Sequence, residues 1–435
     1  MPATGEALPG PKLADAVAAR ADTLAAAGLT ARNRVMIAHP SSIDFVIDLL
    51  AVWHLEASAA PVPPALTAPE RDSLIARYQP QVILAETGDI WRQGAPAGPG
   101  EALVLFTSGT TGTPKGVVLT GAALAARIAA NHAAIPEAER RVALALLPPS
   151  FGHGLIGGML TPLLGGGDLV LWPSPGIIGL PRLPEIIAHH GVRFLTSVPA
   201  FWALVRRLDL PRPAPLARVH IGSAPLDAAL LSWVRDWSGG AEIRDMYGLT
   251  ECANWVGGGA RAGRYTLWDG EAAVLTPDGP AAEGAGEVLL RGPSLMQGYL
   301  DQPEATAAAF YGDWFRTGDL GQIAGGEITL TGRLKTQINR GGMKISPEAV
   351  ERAALACPGV TGALAFGYPD PMLGEGLALA LTGPVEGLID RAKSTMRAHL
   401  MADHLPDRWF QLEALPLTDR GKPDRAAARQ LTIGA

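Results

Sequence analysis

The chain has 435 residues, 48% of them hydrophobic, and its 36 Lys and Arg against 42 Asp and Glu give a formal net charge of -6. This length exceeds what one hydrophobic core usually supports, so about two or three domains are expected, and the apolar content excludes a disordered protein. Because acidic residues outnumber basic ones, the protein has no overall positive field that would attract nucleic-acid phosphate. No nucleic-acid partner is therefore predicted.

Cysteine usage and hydropathy favour a cytoplasmic protein without a membrane span. Cys252 and Cys357 are the two cysteines of the chain, too few for a disulfide framework. The N-terminal stretch lacks the unbroken apolar core of a signal peptide. The longest apolar stretch, residues 155–172, contains Pro162, Asp168 and five glycines, which does not suit a membrane helix.

Predicted helices and strands alternate along the first half of the chain. A helix over residues 13–29 precedes a buried strand at 34–40 and a second helix at 44–57. Further strands are predicted at 81–86, 102–106, 116–120, 143–148, 168–172 and 217–222, with Ala-rich helical segments between several of them. This alternation predicts an α/β fold.

The pattern of predicted elements changes in the later part of the chain. After about residue 257, short β-like runs separated by Gly, Pro and Asp predict a small β-rich subdomain. From residue 336 onward, a helix at 347–356, a strand at 363–367 and a helix at 385–400 predict a small α+β domain. The expected division is a large N-terminal domain of layered α/β subdomains with the β-rich subdomain, residues 1–334, followed by a C-terminal domain, residues 335–435.

The loop within LFTSGTTGTPKGVVLT, residues 105–120, concentrates groups that bind phosphate. Its glycines let backbone N–H groups approach an anion, its hydroxyls donate to phosphate oxygens and its lysine adds a compact charge. Pro114 and Gly116 are incompatible with a Walker A loop, and a flexible hairpin is the structural alternative. The predicted phosphate-binding residues are Thr107, Ser108, Gly109, Thr110, Thr111 and Lys115.

Four further motifs follow this loop in a fixed order. They are DMYGLTE at 245–251, WFRTGDLG at 314–321, GRLKTQINRGGMKISPEAVE at 332–351 and LTDRGKPDR at 417–425. Over residues 13–425 the chain resembles the adenylate-forming superfamily, which comprises acyl-CoA ligases, adenylation domains and luciferases. The resemblance implies that the protein binds ATP and Mg²⁺ and converts a small carboxylic acid to acyl-AMP with release of pyrophosphate.

The resemblance also implies where the nucleoside and the metal bind. The segment that lines the adenine is Gly222, Ser223, Ala224 and Pro225. In the motif DMYGLTE, Asp245 is assigned to the nucleotide site, and Tyr247 resembles the aromatic that stacks on the base. Thr250 resembles the residue that holds the α-phosphate and Glu251 the ligand of Mg²⁺. Asp319 resembles the carboxylate that accepts the ribose hydroxyls, with Arg333 as its companion.

Three further assignments concern the acid and the moving domain. Lys422 resembles the C-terminal lysine that neutralises the substrate carboxylate and the α-phosphate during adenylation. His153, in SFGHG, falls where the family carries a histidine beside the acyl pocket, although a structural histidine is the alternative. Lys335 matches the hinge of the family, which implies a mobile C-terminal domain with two arrangements, and Gly341 and Gly342 resemble the segment beside the pantetheine tunnel.

Several possibilities stay open at this level. SFGHG lacks the aspartate that holds the ammonium group of amino acids, so an α-amino acid is disfavoured as substrate. Thr336 stands where related sequences usually have Asp. The leading hypothesis is an acid–CoA ligase for an aryl or aliphatic acid. The alternatives are a free-standing enzyme that loads the phosphopantetheine of a carrier protein and a non-catalytic nucleotide- or acyl-binding protein.

Overall fold

A computed structural model describes residues 5–107, 115–173, 176–340, 343–370, 373–400, 404–418 and 422–434, without the side chains of residues 176, 177, 335, 343 and 344. The chain forms two compact units. The first comprises the residues up to Ala272 together with Leu290–Phe315, and the second comprises Ala273–Leu289 together with the residues from Arg316 onward. The domain boundary expected between residues 334 and 335, with its hinge at Lys335, stays a prediction.

The helices are mostly short. In chain order they are α1 (Gly10–Ala26), α2 (Ile43–His54), α3 (Ala68–Tyr78), α4 (Gly121–Ala134), α5 (Glu137–Arg140), α6 (Thr161–Leu163), α7 (Gly176–Gly179), α8 (Leu183–His190), α9 (Pro199–Arg207), α10 (Ala228–Trp237), α11 (Pro303–Ala308), α12 (Pro347–Leu355), α13 (Leu388–Met396) and α14 (Arg425–Thr432). A π-helix occupies His153–Leu160. None of the described helices is both long and apolar enough to cross a membrane.

The strands are distributed along the whole chain. They are β1 (Arg34–Ala38), β2 (Ser58–Pro61), β3 (Val82–Ala85), β4 (Ile90–Trp91), β5 (Glu101–Thr107), β6 (Lys115–Thr120), β7 (Val142–Ala145), β8 (Asp168–Leu171), β9 (Phe194–Ser197), β10 (Arg218–Gly222), β11 (Glu242–Leu249), β12 (Asn254–Gly259), β13 (Arg264–Leu267), β14 (Glu271–Thr276), β15 (Gly279–Ala281), β16 (Gly284–Arg291), β17 (Gly298–Tyr299), β18 (Phe310–Tyr311), β19 (Trp314–Ala324), β20 (Glu327–Arg333), β21 (Ile338–Arg340), β22 (Met343–Ile345), β23 (Gly362–Asp370), β24 (Gly374–Thr382) and β25 (Arg408–Gln411).

Two sheets form the first unit. One has the strand order β17-β6-β5-β2-β1-β3-β4, in which β5 and β6 form the antiparallel hairpin that flanks the predicted phosphate loop. The other has the order β13-β12-β11-β10-β9-β7-β8, in which the strands from β8 to β11 are parallel. Parallel strands connected by helices confirm the α/β class that the alternating sequence predicts.

The second of these sheets is buried on both faces. Side chains alternate along each strand. On β9 and β10, Leu195, Val219 and Ile221 join one core with α8 and α10. On the opposite face, Phe194 joins Trp255 in a separate apolar cluster. This second face also lies against the π-helix, and it positions the polar side chains described below.

The second unit contains strands in the order β15-β14-β16-β19-β20, of which β14 and β15 and also β19 and β20 are antiparallel, and a five-stranded sheet in which β24 lies at the centre. The apolar side chains of Ile338, Leu379 and Val350 belong to one core of this unit. Helix α12 begins at Pro347 because the Ser346 hydroxyl accepts a hydrogen bond from the Ala349 N–H, at 3.2 Å. This region is the α+β segment predicted from the sequence.

Element ends differ from the predictions where the backbone leaves the helical region. The helix predicted at 44–57 ends at His54, and Glu56 has a φ of 56°. The helix predicted at 385–400 begins only at Leu388, because Gly387 before it has a φ of 68°. A residue in the left-handed conformation ends a helix. Where such a residue occurs depends on surrounding contacts as well as on local sequence, so the predicted helix ends are shifted.

Candidate functional site

The ends of the β5–β6 hairpin carry two predicted phosphate-binding residues. Thr107 and Lys115 are register partners at the open end of the hairpin, and the Thr107 hydroxyl donates to the Lys115 carbonyl at 3.4 Å. Ser108, Gly109, Thr110 and Thr111 lie outside the described residues. The hairpin therefore places a lysine at the point where the predicted loop rejoins the sheet.

Tyr299 on β17 connects this lysine with the predicted magnesium ligand. The Lys115 ammonium lies 4.3 Å from the centre of the Tyr299 ring, within cation–π range. The Tyr299 hydroxyl donates to Glu251 Oε1 at 3.0 Å. Burial and the Glu251 charge raise the pKa of Tyr299, so its phenol keeps its proton and serves as a donor. One aromatic side chain thus contacts both ionic groups.

Backbone contacts hold Glu251 in a 3₁₀ turn, Thr250–Cys252. The Met296 N–H donates to the Glu251 carbonyl at 2.7 Å. Arg127, 1% exposed, donates to the Cys252 carbonyl at 3.3 Å and pairs with Asp269 at 2.6 Å. These contacts leave the Glu251 side chain partly accessible at the surface. Neither Tyr299 nor Arg127 was identified from the sequence, because they lie far along the chain from Glu251 and share no local motif with it.

The carboxylate of Glu251 suits a hard cation that takes its other ligands from elsewhere. Among the described residues, no three His, Cys, Asp or Glu side chains converge as a metal-binding group. Mg²⁺ usually takes one or two carboxylates together with phosphate oxygens and water. A single glutamate that shares Tyr299 with the predicted phosphate-binding Lys115 fits that pattern.

The predicted adenine segment follows directly from β10. Gly222 is buried, and a Cβ there would lie 3.1 Å from Met246 Cβ, so a side chain at this position would require Met246 to shift. Ser223 has a φ of 69°, a left-handed conformation that costs free energy in a non-glycine residue. Its hydroxyl is 3.0 Å from His153 Nδ1. Ala224 and Pro225 complete the segment at the surface of this unit.

Tyr247 and Asp245 lie on β11, beside this segment. Tyr247 is 5% exposed, and its ring centre lies 5.3 Å from that of Tyr265. Asp245 Oδ2 accepts hydrogen bonds from the Gly263 N–H at 2.7 Å and the Tyr265 hydroxyl at 3.2 Å. Burial raises the pKa of Asp245 to about 7. Asp245 thus holds the loop after β12 in place through these hydrogen bonds. This structural role is additional to its predicted contact with nucleotide.

His153 begins the π-helix and is buried. Its ring centre lies 5.3 Å from that of Trp255 in an edge-on arrangement. Burial lowers the pKa of His153 to about 3, so the imidazole is neutral near pH 7. His153 can therefore offer a hydrogen bond to an acid but no positive charge.

In the second unit, the predicted ribose-binding residues form an ion pair. Asp319 and Arg333 are register partners on β19 and β20, and Arg333 Nε lies 2.6 Å from Asp319 Oδ1. Glu287 supports the turn before Asp319, because it accepts from the Gly318 N–H at 3.1 Å and pairs with Arg316 at 2.7 Å. Glu287 was not identified from the sequence, since it lies on another strand.

The C-terminal lysine is hydrogen-bonded to Thr418 in the second unit. The Lys422 N–H donates to the Thr418 hydroxyl at 3.2 Å, and its carbonyl accepts from the Thr418 N–H at 2.7 Å. The Lys422 side chain is exposed. Gly341 and Gly342 lie outside the described residues, as does the Lys335 side chain. The Thr336 hydroxyl, at the position that departs from the family pattern, donates to Glu348 at 2.9 Å.

Comparison with known proteins places the chain in one family. Residues 92–300 match the family of AMP-binding enzymes. An oxalate–CoA ligase of Arabidopsis thaliana is 30% identical over 461 residues, which cover 93% of this chain and 89% of that protein. A sulfoacetate–CoA ligase of Cupriavidus necator is 33% identical over 392 residues, which cover 85% and 74%.

A solved structure shares the fold. The ATP-bound structure of MatB from Rhodopseudomonas palustris superposes with a TM-score of 0.85 at 23% identity, covering 100% of this chain and 95% of that one. The chain belongs to the family of AMP-binding enzymes, the adenylate-forming enzymes that include CoA ligases.

Proposed function

We propose that the protein is an AMP-forming acid–CoA ligase that acts on a short carboxylic acid. The observation that carries this proposal is the group formed by Lys115, Tyr299 and Glu251, in which one tyrosine contacts both a cation at the end of the β5–β6 hairpin and a carboxylate. Such a pair suits a polyphosphate and its counter-ion. The relatives named as oxalate–CoA and sulfoacetate–CoA ligases support a short acid as substrate.

The first half-reaction joins the acid to AMP. A carboxylate oxygen attacks the α-phosphorus of ATP, the bond from that phosphorus to the bridging oxygen breaks, and pyrophosphate leaves. Lys115 and the hydroxyls of the loop hold the phosphates, and Glu251 would hold Mg²⁺, which would neutralise phosphate charge. The Lys422 ammonium stabilises the charge that accumulates between carboxylate and phosphate. Asp319 and Arg333 hold the ribose.

The second half-reaction transfers the acyl group. The CoA thiol loses its proton, its sulfur attacks the acyl carbonyl, and the bond from the carbonyl carbon to the AMP oxygen breaks. The products are a thioester and AMP. Gly341 and Gly342 would border the pantetheine arm, and rotation at Lys335 would exchange Lys422 for this segment.

A carrier protein is the second candidate acceptor. It presents the same pantetheine arm as CoA, so the two acceptors share the reacting thiol. The names of the relatives favour CoA. The two acceptors are distinguished by supplying the purified enzyme with the acyl-adenylate and either CoA or a phosphopantetheinylated carrier protein.

The proposed activity is tested by acid-dependent exchange of pyrophosphate into ATP, repeated with hydroxylamine to capture the acyl-adenylate. The panel contains short, medium-length and aryl acids together with amino acids. We expect exchange with short acids and thioester formation once CoA is added. A folded protein that supports no exchange with any of these acids would falsify the proposal.

A further inference from the structure

Six side chains around the π-helix His153–Leu160 carry buried polar atoms without a hydrogen-bond partner among the residues that the structure describes. The atoms are Ser150 Oγ, His153 Nε2, Thr196 Oγ1, both ring nitrogens of His220, Asn254 Nδ2 and Trp255 Nε1. Native proteins leave few buried polar groups unpaired, because each such group loses its hydrogen bonds to water without replacement. A concentration of unpaired polar atoms at one place indicates a binding site for a polar ligand.

The strand register brings the central members together. Thr196 and His220 are partners on the parallel strands β9 and β10, so their side chains point to the same face of the sheet. The His220 ring centre lies 4.7 Å from that of Trp255. Trp255 in turn contacts His153 at 5.3 Å. The unpaired atoms therefore belong to one cluster and not to scattered sites.

The π-helix covers this cluster with glycines. A Cβ at Gly157 would lie 2.5 Å from the Trp255 ring and 2.7 Å from Asn254 Nδ2. A Cβ at Gly158 would lie 2.7 Å from Thr196 Oγ1. Larger residues at these positions would obstruct the polar atoms, and π-helical segments are frequent at functional sites. Glycine at these two positions therefore keeps the helix backbone close to the polar atoms without covering them with a side chain.

The cluster offers dipoles and no fixed positive charge. Burial lowers the pKa of both His153 and His220, so both rings are neutral near pH 7. Thr196, Asn254 and Trp255 each supply an O–H or N–H donor. Such a set recognises an oxygen that accepts hydrogen bonds.

The cluster is connected to the proposed nucleotide site. His153 contacts Ser223, which follows β10, the strand that carries His220. We propose that Thr196, His220, Asn254 and Trp255, here named the polar floor, bind an acceptor oxygen on the acyl chain and select short acids that carry one. This inference rests on the proposed acid-activating function and names the class of its substrate.

The acceptor oxygen has two possible sources, a second acid group or a neutral hydroxyl. Three acids of equal length separate them: propanoate, 3-hydroxypropanoate and propanedioate. We expect kcat/KM in the pyrophosphate exchange assay to be at least about tenfold higher for one or both oxygen-bearing acids than for propanoate, since a hydrogen bond to a matched donor contributes about that factor. A higher kcat/KM for 3-hydroxypropanoate identifies a neutral hydroxyl as the source of the oxygen, and a higher kcat/KM for propanedioate identifies a second acid group.

Substitution of the polar floor tests the assignment. In Thr196→Val, kcat/KM for the preferred oxygen-bearing acid should fall about tenfold more than for propanoate, and Thr196→Ser should restore the preference. If Thr196→Val does not fold, His220→Phe serves as the second variant. It should also lower kcat/KM for the preferred oxygen-bearing acid more than for propanoate. The control Ser238→Ala removes a buried hydroxyl that donates to Arg235 O at 3.1 Å, and it should leave the ratio between the acids unchanged.

Thermal unfolding supplies a readout that does not depend on activity. Because the Thr196 hydroxyl has no hydrogen-bond partner in the described part of the chain, Thr196→Val should keep or raise the unfolding temperature of the ligand-free protein, whereas Ser238→Ala should lower it. Equal kcat/KM for all three acids, or an equal loss for all three in the valine variant, would overturn the inference while leaving acid activation intact. No exchange with any acid would count against the proposed function itself.

Discussion

At the scale of single residues, charge and burial determine what each site residue can do. Lys422 is exposed, whereas Asp319 is 2% exposed and is held by its ion pair with Arg333. His153 is neutral because burial lowers its pKa to about 3. The positive charge that the acid requires must therefore come from another side chain, and Lys422 is the residue that we assign to that task.

Replacement of this lysine should separate the two half-reactions. In Lys422→Ala, adenylate formation should fall by at least about 100-fold, because the charge that stabilises the transition state is lost. Thioester formation from supplied acyl-adenylate and CoA should change little. Pyrophosphate exchange and thioester assays measure the two steps. The exposed lysine of α13 provides the control, Lys393→Ala, and an equal loss in both steps would contradict two separate arrangements.

Asp245 should make stability depend on pH. Its folded pKa is raised to about 7, whereas an unfolded aspartate titrates at about 4. The contribution of the protonated carboxyl to stability is therefore complete below about pH 4 and is lost as the pH rises through about 7. Relative to Asp245→Asn, the wild-type protein should lose up to about 4 kcal/mol of unfolding free energy over this range.

Denaturant titrations of the ligand-free protein at several pH values measure this effect. The exposed Asp236 offers a matched control, since Asp236→Asn should leave the pH profile of the wild-type protein unchanged. A profile for Asp245→Asn that stays parallel to the wild type between pH 4 and pH 8 would show that the aspartate does not hold its proton in the folded state.

At the scale of elements, short strands connect distant parts of the site. Strand β17 pairs with β6 and brings Tyr299 next to Val117 in the register, two residues from Lys115. The same strand brings the Tyr299 hydroxyl to Glu251. The π-helix places Gly157 and Gly158 over the polar floor. These elements contain few residues, yet each determines how two parts of the site meet.

Tyr299→Phe removes one of these contacts and keeps the other. The phenyl ring still lies against Lys115, but the hydrogen bond to Glu251 is lost, which costs about 1.5–3 kcal/mol for a bond to a charged group. We expect kcat/KM for ATP to fall about tenfold or more and half-maximal activity to require more Mg²⁺. Activity is measured against ATP and Mg²⁺ concentration, with the exposed Tyr311→Phe as control. An unchanged Mg²⁺ dependence would mean that Tyr299 does not position Glu251.

At the scale of the whole molecule, each compact unit has apolar cores of its own. Leu195, Val219 and Trp202 belong to a core of the first unit, and Leu379 and Val350 to a core of the second. Because hydrophobic stabilisation comes from apolar area buried locally, a cavity in one core should weaken its own unit most.

Leu379→Ala tests this separation. Leu379 is fully buried, and a leucine-to-alanine change in a core costs about 2–5 kcal/mol. Amide hydrogen exchange should accelerate in β23 and β24 of the second unit and stay close to wild type in β9 and β10 of the first. Leu195→Ala should produce the reverse pattern. Equal acceleration in both units for either variant would indicate one cooperative core.

The sequence by itself determined the α/β class, the two strands on either side of residues 108–114 and membership of the AMP-binding family, because these depend on local periodicity and on motifs of neighbouring residues. The strands expected at 81–86 and 217–222 occur as Val82–Ala85 and Arg218–Gly222 for the same reason. The roles of Lys422, Asp319 and Glu251 stay predictions that rest on resemblance.

Only the tertiary structure decided which distant residues support the site. Tyr299 lies 48 positions from Glu251, and Thr196 and His220 meet through strand register. Glu287 reaches the Asp319 turn from another strand. None of these contacts leaves a local pattern, since side chains brought together by sheet pairing are separated by whole elements in the chain. For the same reason, the polar floor became visible only when burial and missing hydrogen-bond partners could be compared in three dimensions.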